Sequence, residues 1–107
     1  MKNRTKALSI PLSVKAEVAE RDKVNGWPCC ILCGRPAPTE NRLAFSNAHY
    51  IARSQGGLGI EENILTLRPE CHRRYDGAER NELRPTLRRY LMDHYDEWDE
   101  EKLKYRR

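Results

Sequence analysis

Cysteine placement constrains this chain more than any other feature of it. Cys29, Cys30 and Cys33 fall within five residues, and Cys71 follows Cys33 by 38. A secreted disulfide framework spaces its cysteines more evenly, and adjacent cysteines such as Cys29 and Cys30 rarely bridge. Cys-x-x-Cys in a reducing compartment more often binds metal or does redox chemistry. The 107 residues suffice for one domain, and only 38% are apolar while 34% are charged. Such a chain builds a small core and needs a staple. A Cys30-x-x-Cys33 knuckle with the distant Cys71 is a structural zinc signal, one cysteine short of the full set. The same three residues also read as buried thiols acting as small hydrophobes.

The formal net charge is +4, and it is unevenly spread. Residues 1–92 carry sixteen Lys or Arg against ten Asp or Glu, whereas residues 93–107 carry four against six. A basic body suits a polyanionic partner. No run of 18 apolar residues exists, so no transmembrane helix and no membrane partner are expected. The basic start is followed by no apolar stretch before Pro11, so a secretory signal is not expected and the chain is placed in the cytoplasm.

Residues 1–10 read as a flexible basic arm and residues 11–107 as a single domain. Ser13 is the expected N-cap of a helix ending near Asp22, with Val14 and Val18 on one face. Leu43 to Ala52 reads as a strand, Arg53 to Glu62 as a glycine-bearing loop, and Ile64 to Leu67 as a second strand. Pro69 opens a helix that Gly77 stops. Pro85 opens another, with Leu87, Leu91, His94 and Trp98 on one face. A last short helix is expected within residues 99–107, so the C-terminal helices cover about 85–105.

His72 and Asp76 lie one turn apart on the predicted helix and can share a divalent ion such as Mg²⁺, Mn²⁺ or Zn²⁺. They also read as an ordinary surface pair. Cys71 is rotated about 100° from His72, towards the Cys30–Cys33 knuckle. His49, near the end of the first strand, is a candidate general base. Asn63 is a candidate for tying down the loop or orienting that base. A structural histidine and a turn asparagine are the plainer alternatives.

The ordered set Cys30-Ile-Leu-Cys33-Gly34, Ala48-His49-Tyr50-Ile51-Ala52-Arg53, Glu62-Asn63-Ile64-Leu65 and Glu70-Cys71-His72-Arg73-Arg74-Tyr75-Asp76 resembles the HNH endonucleases. These are His-metal finger nucleases, and the tail is similar to that of small phage and prophage members. The resemblance covers roughly residues 10–105. It implies an α+β fold with a ββα-metal core at about 43–77, flanking helices and a zinc knuckle.

It further implies a metal-dependent DNA endonuclease of weak sequence preference, a phosphodiester hydrolase in the bacterial host cytoplasm. His49 would be the base, Asn63 the central asparagine, and His72 with Asp76 the ligands of a catalytic divalent ion. Cys30, Cys33 and Cys71 would hold structural zinc. Arg53, Arg73, Arg74 and Arg80 are candidates for phosphate contacts by charge and position. Two departures stand out: Ala48 replaces a further metal ligand, and Arg68 occupies the place of a fourth cysteine. They give the alternative of a catalytically degenerate, zinc-stabilised DNA-binding or packaging accessory module, with phage packaging proteins as further partners.

Overall fold

The helix after Pro11 forms where apolar positions recur at helical spacing, and it ends at its C-cap, Asp22. In the computed structural model, which describes residues 6–38 and 46–105, helix α1 spans Leu12–Arg21. Its N-cap is Pro11 and no side chain caps it, so Ser13 is not the cap. Val18 is fully buried. Asn25 and Gly26 both take positive φ, 55° and 83°, as a two-residue hairpin turn requires. They join β1 (Lys23–Val24) to β2 (Trp27–Pro28) in antiparallel register.

The second sheet pairs β3 (Asn47–His49) with β4 (Ile64–Thr66), with His49 opposite Ile64. The strand expected over 43–52 is shorter than its apolar content suggests, and residues 43–45 lie outside the described residues. At Tyr50 the chain turns inward: Tyr50 and Ile51 are buried, and 3-10 turns follow at Arg53–Gln55 and Glu61–Asn63. Gly57 allows this path, because a Cβ there would lie 1.6 Å from the Ile51 carbonyl oxygen. Gly59 admits the N-terminal segment in the same way. Its N–H donates to Ala7 O at 2.9 Å, and Leu8 of that segment is buried.

Helix α2 (Pro69–Asp76) starts with Pro at its first turn, as expected. Gly77 ends it at φ −111°, outside the left-handed region. Helix α3 runs Arg80–His94 and contains Pro85 rather than starting at it. As the sixth residue of the helix, Pro85 lies past the first turn and removes the backbone bond its N–H would have made. Leu87 and Leu91 are fully buried, each contributing about 2 kcal/mol of apolar burial. His94 is exposed and Trp98 lies beyond the helix, so the expected four-residue face stops at Leu91.

The tail closes the core. Trp98 packs edge-on to Tyr50 with ring centroids 5.5 Å apart, and its indole N–H donates to Glu62 O at 2.9 Å. A 3-10 turn at Glu100–Leu103 buries Leu103. Leu58 N–H donates to Leu103 O, and Tyr105 N–H to Gly56 O. No helix among the described residues is long and apolar enough to cross a membrane.

Candidate metal centre

The knuckle is built by backbone hydrogen bonds that leave its thiols pointing together. Cys30 N–H donates to Arg35 O at 2.8 Å and Gly34 N–H returns to Cys30 O at 2.9 Å. Gly34 takes φ 76° to close this turn, a conformation glycine adopts without a side-chain clash. Ile31 N–H donates to Thr66 O, tying the knuckle to β4 just before α2 begins. Cys71 in the first turn of α2 completes the group. The sulfurs of Cys30, Cys33 and Cys71 all lie within 4.8 Å of one another. Cys30 and Cys71 are buried and Cys33 is exposed.

This donor set fits zinc. A zinc–thiolate tetrahedron with bonds of about 2.3 Å has sulfur–sulfur edges of about 3.8 Å, and these three sulfurs lie within 4.8 Å of one another. All four cysteines are free thiols. Burial is the largest influence on Cys71, and with the neighbouring thiols of Cys30 and Cys33 it pushes that thiol up to about 12. Burial also acts to raise Cys33, but the Arg35 backbone N–H and the thiols of Cys30 and Cys71 outweigh it and leave Cys33 below the ordinary thiol value. Zinc would displace the protons these groups share, which is how metal affinity couples to folding.

A second group of sequence-selected residues lines a cleft of about 370 Å³ on the other side of α2, formed by Ile10, Asn47, His49, Arg53, His72 and Asp76. His49 Nε2 donates to Leu8 O at 2.8 Å. Burial lowers the affinity of His49 for a proton; Arg53 and His72 lower it too, while the Leu8 hydrogen bond and Asp76 oppose them. His72 meets Ser46 Oγ through Nδ1 at 2.9 Å and Asp76 through Nε2 at 3.2 Å. Lys15 donates to Asn47 Oδ1 at 2.9 Å, while Asn47 Nδ2 is buried without a hydrogen-bond partner.

The other candidates separate. Asn63 is fully buried; it accepts from Ile51 N–H and donates to Ile51 O and Leu58 O, so it ties down the loop. Arg73 is exposed on α2. Arg74 pairs with Glu79 at 2.8 Å. Arg80 donates to Tyr50 O and stacks over Tyr75, a packing role that its charge alone does not reveal. Sequence reasoning missed Arg21 and Asp22, which join α1 to β4 and the tail.

No family model matches the chain, and a search of curated proteins returns no match. Together with the metal geometry, this corrects the HNH resemblance. The potential ligands that converge among the described residues are three cysteine sulfurs, and no comparable set forms around His72 and Asp76. The fold is a small α+β arrangement with two two-stranded sheets and a cysteine cluster, not a histidine-based ββα-metal finger. The endonuclease and hydrolase assignment, with its phage association, falls with it. The physical reasons are local. His72 engages both ring nitrogens with Ser46 and Asp76, Ala48 adds no ligand beside His49, and Asn63 ties down its loop without lining the cleft. The structure supports a structural zinc site and shows no second metal site among the described residues.

Proposed function

We propose that this chain is a zinc-stabilised, non-catalytic DNA-binding module that presents its His49–His72 cleft to the phosphate backbone. The observation that carries the reading is the cleft's lining: Arg53, His49 and His72 line it together with Asn47, whose buried Nδ2 donor has no partner, and the Asp76 carboxylate there is met by His72. Lys15 reaches the same asparagine from α1, and Arg73 stands exposed on the helix behind. Phosphate oxygens accept from donors of these kinds. The net charge of +4 favours the same partner. Reduced thiols are needed to hold the zinc, which suits the cytoplasm.

Fluorescence anisotropy of a labelled duplex across a salt series tests this. Affinity should fall steeply with salt, and Arg53→Ala or Arg73→Ala should each reduce the log–log slope by about 1. Binding that is absent at low salt, or indifferent to salt, removes DNA as the partner.

A further inference from the structure

The tail encloses a second cavity, of about 390 Å³, which shares no lining residue with the His49–His72 cleft. Ile60, Leu103 and Trp98 give it apolar walls. Trp98 is held in place by its N–H bond to Glu62 O and by its edge-on contact with Tyr50, and Leu103 is buried. The remaining lining is mostly acidic. Glu62, Asp96, Glu97 and Asp99 line the cavity, Lys102 is its only lysine or arginine, and the exposed His94 lies at it too.

The carboxylates here differ from most others in the chain. Glu61 meets Tyr95, Glu79 meets Arg74, and Glu100 meets Arg84 and Arg88. Among the described residues, Glu62, Asp96 and Glu97 form no ion pair, and Lys102 reaches none of them. Asp99 accepts from Glu101 N–H at 3.0 Å. The aromatic groups point the same way. Arginines stand over the rings of Tyr50, Tyr75, Tyr90 and Tyr95. None stands over Trp98 among the described residues, although indole is the ring that attracts a cation best.

We propose that this cavity seats an arginine side chain from a basic peptide segment of a protein partner. A guanidinium can lie against the indole while its fork of N–H groups donates to the carboxylates. Its alkyl stem then covers Ile60 and Leu103. An ammonium is a compact, strongly hydrated charge and uses the aromatic wall less well. The chain as a whole carries +4 and repels a basic peptide at long range, so binding reports the local acidic field. DNA has the same sign of charge as this lining, so the cavity adds a protein partner to the nucleic-acid reading and does not depend on it.

The test is fluorescence anisotropy with the full chain and a labelled Gly-Ser peptide carrying two arginines. Binding should be saturable. The double variant Asp96→Asn, Glu97→Gln should weaken it roughly tenfold, the loss of about 1.4 kcal/mol. Both residues are exposed, so the variant should melt like the parent, and a matching melting temperature is the check on its fold. The same peptide with lysines in place of arginines should bind several-fold more weakly. An arginine peptide that does not bind, or that binds the double variant as tightly as the parent, overturns the proposal. Equal affinity for the lysine peptide also overturns it, because charge alone then accounts for the binding.

Discussion

Asp22 does more to join the elements of this small domain than any residue selected by motif. Its carboxylate is buried and accepts from Arg21, from the Tyr90 hydroxyl and from Thr66 N–H. Arg21 in turn donates to Glu61 O, Ile64 O and the Tyr95 hydroxyl. Removing one partner of such a network strands the other charge. Asp22→Ala should cost about 3 kcal/mol, measured by urea denaturation. A variant within 0.5 kcal/mol of the parent, about the usual limit for a surface change, would show that the network carries little.

His49 makes a pH prediction of definite sign. Burial lowers its folded pKa below the unfolded value, so the unfolded chain binds the proton more readily. Its contribution to stability is present above the unfolded pKa of about 6.5 and is lost as pH falls through the lower folded value. His49→Gln can keep the donor to Leu8 O without titrating. The difference in melting temperature between parent and variant should therefore change across this acid window. Parallel pH profiles would rule the effect out.

Among the elements, α2 was most legible, because Pro69 begins it through a local backbone preference. The first hairpin was not expected, although the positive φ of Asn25 and Gly26 suits its turn. The long apolar strand was not legible, because Tyr50 and Ile51 are buried by tertiary packing after the chain leaves the sheet. Pro85 misled for a similar reason: α3 starts five residues earlier, and Leu87 and Leu91 repay the lost bond through burial. Arg68, the residue before α2, belongs to this scale. Arg68→Cys should complete a Cys-x-x-Cys pair facing the knuckle, raising both zinc affinity in chelator competition and the melting temperature. Unchanged affinity with a lower melting point would show that residue 68 does not reach the site.

For the whole molecule, the staple matters because the core is small. Zinc removal by chelator should lower the melting temperature sharply, and Cys30→Ser should melt low with or without added zinc. A Cys30→Ser chain that melts like the parent would reduce the trio to buried thiols. The knuckle was readable from spacing because a separation of three positions brings Cys30 and Cys33 into one turn, and helix phase directs Cys71 away from His72. Composition likewise set the size of the core, and Pro69 set the start of α2. Tertiary structure alone decided what the polar side chains do. His49, Asn63 and Arg80 find partners at Leu8, Ile51, Leu58 and Tyr50, on segments that local sequence does not bring together. A motif specifies which donors a chain owns, but burial determines which acceptors remain for them. That is why the cysteine cluster was legible in order and spacing, while the histidine chemistry was not.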